Sequence, residues 1–260
     1  MTIYTRMSPI LLVPLLALGF AAPWDADAIE ADAMEHAINT DDHDEVELDE
    51  AEVFIEFNST DGDFGIQFFW DGEAWERMKV EGPDGKTVLK VKVSKNLKKQ
   101  GLTEGFFESA EPSTKVLPMK KFLKRFPEGE YEFEGRTLEG EEIEGETEFT
   151  HTLPAPPKNL SPKEGAKVSP SSPLVVSFDA VTKDLNGKSL EPELYQVIVE
   201  TENDILRVFS IILEGDVAKP SVTVPPEFLQ PDTEYKFEVI VQEESGNRTI
   251  AETAFETTSS

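Results

Sequence analysis

The sequence predicts an all-β protein: two tandem β-sandwiches behind a signal peptide and an acidic disordered segment. Three observations carry this. Short runs alternate apolar and polar side chains, as in Tyr235-Lys236-Phe237-Glu238-Val239, and period two with one apolar face is a half-buried strand. Turn clusters such as Asn58-Ser59-Thr60-Asp61-Gly62-Asp63 and Gly82-Pro83-Asp84-Gly85 separate these runs at regular intervals, the spacing of a sandwich rather than of strand–helix units. A corner made of an apolar residue, a proline and then a tyrosine opening a strand occurs at 126–131 and again at 229–235.

In chain order, residues 1–28 read as an export signal. Arg6 is the one charge before Asp25, the run 9–22 is apolar but short for a bilayer span, and Ala26-Asp27-Ala28 offers a small-x-small cleavage site. An uncleaved anchor is the alternative. No later segment is long and apolar enough to span, so the mature chain is expected to have no membrane span. The localisation expected is secreted or periplasmic. The chain has no cysteine, which excludes disulfides, thiolate metal sites and a cysteine nucleophile.

Residues 29–52 hold eleven acidic side chains and no basic one. Such a segment repels itself and has little to bury, so disorder is expected. His36 and His43 lie there among aspartates, but a solvated tail presents no preformed metal geometry.

The first sandwich is placed at 53–153. Strands are expected at 52–57, 64–70, 75–80, 88–93 and 102–107, followed by one short helix over 118–126 with Met119, Phe122, Leu123 and Phe126 on one face. Its last two strands follow the corner at Pro127 and Tyr131. Pro154-Ala155-Pro156-Pro157 is a proline-rich, semi-rigid linker. The second sandwich occupies 158–260, with early strands at 175–178 and 195–199, then 206–213 and 221–224.

The spacing Leu229-x-Pro231-x-Thr233-x-Tyr235 resembles the tyrosine corner of fibronectin type III domains of exported bacterial proteins, whose tyrosine hydroxyl bonds back to the corner. The resemblance covers the C-terminal half and implies an immunoglobulin-like sandwich there. The echo at Tyr131 extends the immunoglobulin-like expectation to the first half, which matches no named family. Phe178 stands where such domains often carry tryptophan.

Charge is segregated within the first sandwich. Residues 86–125 are basic, and 128–148 hold ten acids against Arg136. If the strands around Glu132 and Glu144 pair, their glutamates share one face, and like charges opposite one another destabilise a sheet. Lys90 and Lys92 are expected in the same sheet as countercharge. The whole chain carries 52 acids and 24 bases, which opposes nucleic-acid binding.

Trp70 and Trp75 bracket a turn and form the candidate ligand platform; they suit a carbohydrate if exposed and a core if not. Asp61, Asp63, Asp71 and Glu73 are turn carboxylates of the type that calcium takes, but they lack a full loop motif, and no metal or cofactor is expected. His151 has no serine partner in a recognisable elbow, so no catalytic residue is assigned. The function expected is a non-enzymatic exported interaction or structural module whose partner is a protein or cell-envelope component. The alternatives are a carbohydrate-binding module, and a hydrolase with unidentified carboxylates.

Overall fold

A computed structural model describes residues 45–202 and 206–259. The signal sequence, His36 and His43 lie outside these residues. The acidic segment enters the fold earlier than expected: Glu45–Glu47 form β1 and Glu50–Asn58 form β2. Leu48 supplies the reason, since it packs on the core of the first sandwich and anchors an otherwise charged stretch.

The next strand, β3, runs unbroken over Asp63–Glu81 where the sequence suggested a turn at Asp71-Gly72. Its N-terminal half pairs with β2 and with β5 (Leu102–Glu108). Its C-terminal half pairs with β4 (Thr87–Lys92) and with β6 (Gly129–Thr137). Register shifts fall between Asp71 and Trp75 and between Trp75 and Arg77. Across these irregularities the core side chains pass from Trp70 to Trp75 to Met78, even to odd to even, and all three reach one core. The two halves of the strand thus take different partners within the domain.

A short helix α1 (Lys95–Gln100) precedes β5, and α2 (Met119–Leu123) sits where helical spacing placed one, with Phe122 buried against Phe64. β6 then turns into β7 (Glu142–Phe149), and β1 adds to β7 in parallel.

The second sandwich sets a sheet of β13 (Ser221–Val224), β10 (Leu174–Asp179) and β8 (Lys158–Ser161) against a larger one. The larger sheet contains β9 (Ala166–Val168), β11 (Leu194–Thr201), β12 (Val208–Glu214), β14 (Glu234–Gln242) and β15 (Arg248–Thr257). Val176, Tyr195, Val197, Phe237, Val239 and Phe255 fill the space between the two. Phe178 takes the position expected of a tryptophan and packs edge-on to Tyr195, 5.1 Å between centroids.

Both corners form as expected. The Gln230 N–H donates to the Tyr235 hydroxyl at 2.7 Å, and the Tyr131 hydroxyl donates to the Pro127 carbonyl at 3.2 Å. Tyr235→Phe should cost about 1–2 kcal/mol, because it strands a partly buried N–H. Tyr131→Phe should cost less, since its bond is longer. Denaturant midpoints of the two variants test the order.

The feature that the sequence did not announce is the junction. β15 pairs in parallel with β2, with Arg248, Thr249 and Ile250 opposite Glu56, Phe57 and Asn58. The two sandwiches thus share one twelve-stranded sheet, along β1-β7-β6-β3-β2-β15-β14-β11-β12.

Candidate functional site at the domain junction

The junction is held by Asn247, in the turn between β14 and β15. Its side chain is fully buried. Its Oδ1 accepts from the Ile55 N–H at 2.7 Å, and its Nδ2 donates to the carbonyls of Thr150 and Thr152, both at 3.0 Å. One amide thereby ties β2, the end of the first sandwich and the second sandwich together. Thr249 donates from Oγ1 to the Pro154 carbonyl at 2.8 Å, and the Ala155 N–H donates to the Lys183 carbonyl at 2.8 Å. The first two residues of the proline-rich stretch are therefore bonded to the second sandwich. Asn247 belongs to a glycosylation triplet, yet its burial closes it to that chemistry in the folded chain.

Across this junction runs a face of the shared sheet that neither apolar core uses. The Arg248 guanidinium lies over the Phe54 ring, 4.0 Å from its centroid. Burial pushes Arg248 down, while Glu56, Glu52 and Glu193 pull it back up. Further along, Lys236 reaches Glu200 at 2.9 Å, Glu238 at 3.3 Å and Glu252 at 3.8 Å. Burial opposes the charge of Lys236, but these three carboxylates outweigh it and raise its affinity for the proton.

One ammonium cannot neutralise three acids. Burial, eased by Lys236 and worsened by Glu238 and Asp61, pushes Glu252 from 4.5 up to about 7. Its folded form then holds a proton that the unfolded chain has released. Stability should therefore fall as pH rises from about 4.5 to about 7. In chelator-containing buffer, Glu252→Gln should flatten the thermal midpoint across that window; an unchanged slope would assign the pH dependence elsewhere.

Trp70 and Trp75 are both 0% exposed. They contact each other at 5.6 Å between centroids, and Trp70 stacks on Phe107 at 5.0 Å. They are core residues and offer no face to a sugar, because the irregular register of β3 leaves both side chains on the core side. Asp63 and Asp71 sit eight residues apart on β3, about 26 Å at strand rise, too far to share one ion. His151 is structural: its ring pairs with the Phe126 carbonyl at 2.7 Å, and its N–H donates to Glu128.

The glutamate rows do face one another, with Glu130, Glu132 and Glu134 opposite Glu148, Glu146 and Glu144. Lys90 and Lys92 share that sheet but stand one strand too far away. Lys79 on the intervening β3 reaches Glu134 at 2.8 Å and Glu81 at 3.1 Å.

No family model matches the sequence, and no curated relative matches it. Solved structures do. The chicken CNTN1 FN1-FN3 domains are 13% identical with a TM-score of 0.36, covering 82% of this chain and 65% of that one. A tetra-tandem repeat from the extending region of a large adhesion protein is 13% identical with a TM-score of 0.30, covering 81% and 50%. The chain thus spans under two-thirds of the length of each. The C-terminal half resembles a fibronectin type III domain in its own sheet order and corner. Among the described residues no helix is long and apolar enough to cross a membrane.

Asn247 and Glu56 escaped sequence reasoning. Asn247 reads as an ordinary turn residue in Ser245-Gly246-Asn247, and Glu56 as the solvent side of an amphipathic strand. Neither reading registers a partner strand about 190 residues away.

Proposed function

We propose that the chain is an exported, non-enzymatic module in which two β-sandwiches act as one stiff body, presenting binding surface to a protein or cell-envelope component. The observation that carries this is the strand pairing of β2 with β15, which makes the sheet continuous across the junction. A stiff unit holds its two ends at a fixed separation, which suits spacing or presentation rather than clamping. The strand best suited to receive a partner is β12. It is an edge strand with Val208, Ile211 and Ile212 exposed at 45%, 39% and 46%. It carries no charge from Val208 to Leu213, so its free backbone groups are open to strand addition. The export reading rests on residues 1–28, and the choice of a protein or envelope partner on the domain type. Burial of both tryptophans removes the feature that motivated the carbohydrate alternative.

Cross-linking the purified chain to isolated cell envelope through its exposed lysines tests the reading. A discrete adduct that is lost on Ile212→Lys supports it. A chain that forms none and turns over a glycan or ester substrate contradicts it.

A further inference from the structure

Glu56, Glu108 and Glu111 converge where β2, β3 and β5 meet, one carboxylate oxygen from each lying within 4.8 Å of the others. An acidic trio alone is unremarkable on so acidic a chain, but this one has a fourth member. Gln67 is the register partner of Glu108 and lies on the Glu56 face of the sheet. Its side chain is 0% exposed, and neither amide atom has a hydrogen-bond partner. Glu56 is 2% exposed, with Oε2 also unpartnered. The Gln67 amide is near enough to favour the ionised form of Glu56, but neither of its atoms meets a partner at full hydrogen-bond geometry. Buried polar groups left this way are costly and call for an explanation.

Gly65 keeps the space open, since a Cβ there would lie 3.1 Å from Glu111 Cγ and from Ser109 Oγ. A second convergent trio, Glu81, Glu132 and Glu134, shows what a satisfied cluster looks like, because Lys79 reaches into it. Among the described residues no lysine or arginine forms an ion pair with Glu56, Glu108 or Glu111. Arg248, opposite Glu56 in register, lies over Phe54 and eases the charge of Glu56 without an ion-pair contact.

We propose that Glu56, Glu108 and Glu111, with the side-chain oxygen of Gln67, form a calcium site beside the domain junction. Calcium takes six to eight oxygens at about 2.3–2.6 Å, so oxygens of one shell lie no more than about 5 Å apart, a limit this trio meets. Magnesium demands near-ideal octahedral geometry and gives up its waters reluctantly, so it seldom takes a mostly protein-built shell. The exposed Glu108 leaves water access to complete the shell. Burial, eased by Arg248 and worsened by Glu108 and Glu238, pushes Glu56 up to about 7, and burial with repulsion from Glu108, Glu56 and Asp63 pushes Glu111 up to about 8. A divalent ion relieves the repulsion that protons otherwise relieve. It would also stiffen β2 where that strand pairs with β15. The inference stands whether or not the module reading does.

The test is thermal unfolding and calorimetric titration of the full chain with calcium chloride, magnesium chloride or chelator. Calcium should raise the midpoint by several degrees and titrate at one site, with magnesium much weaker. The double variant Glu108→Gln, Glu111→Gln should match or exceed the parent midpoint in chelator, because repulsion is relieved, and should lose the calcium shift. Glu56→Gln alone should weaken calcium at least tenfold. The proposal is overturned by no calcium shift, by an equal magnesium shift, or by a calcium shift that survives in the double variant.

Discussion

Asn247→Ala is expected to lower the unfolding free energy by about 3–5 kcal/mol, because it strands a buried N–H and two carbonyls at about 1–3 kcal/mol each. The three groups are Ile55 N and the Thr150 and Thr152 oxygens. They belong to the first sandwich while Asn247 belongs to the second, so the loss falls on the junction. Urea unfolding should show more than a lower midpoint. The parent should unfold in one transition, coincident by tryptophan fluorescence and far-ultraviolet dichroism, and the variant in two. Asn247→Asp keeps the Ile55 acceptor but sets a carboxylate against two carbonyls, so it should do no better than alanine. A loss below about 1 kcal/mol, the usual net worth of one hydrogen bond, would show the junction to be held mainly by strand pairing.

The second large effect is expected at Gly105. It is the register partner of Trp70 on β5, and the indole lies against its backbone. A Cβ at Gly105 would sit 2.4 Å from Trp70 Cε2 and Cζ2, a separation that real structures do not tolerate. Trp70 cannot simply rotate, because Trp75, Phe107 and Phe133 enclose it. Gly105→Ala should therefore cost about 3 kcal/mol, the upper end of overpacking, and should change the tryptophan emission of the folded state. Gly140→Ala, in a turn with open space around it, is the control. It carries only the strain of its positive φ of 98°. Equal losses in the two variants would show that the indole moves aside cheaply.

Much of this architecture was legible in local pattern. Turn clusters and alternation marked most of the strands, and one proline–tyrosine corner identified the C-terminal sandwich. The same signals misled where two faces of a strand are both covered. In β3 the two register shifts disguise a nineteen-residue strand as two strands and a turn, and so placed Trp70 and Trp75 at an exposed turn. The acidic segment looked uniformly unstructured because charge outweighs one leucine in a composition count, although Leu48 is enough to dock it. The junction was illegible for a different reason. Its contacts join Ile55 to Asn247 and Glu56 to Arg248, and no local periodicity reports on strands so distant in sequence. A glutamate on the outward face of a strand looks solvated until the neighbouring strand is known.

The central claim is that two sandwiches form one rigid body through a continuous sheet. Because the chain has no cysteine, a pair of spin labels can be placed without background. Val116→Cys in the first sandwich and Val175→Cys in the second are well exposed positions. Double electron–electron resonance between labels there should give one narrow distance distribution, unchanged by moderate salt. A broad or two-peaked distribution would mean that the domains move independently and that the β2–β15 pairing does not hold in solution.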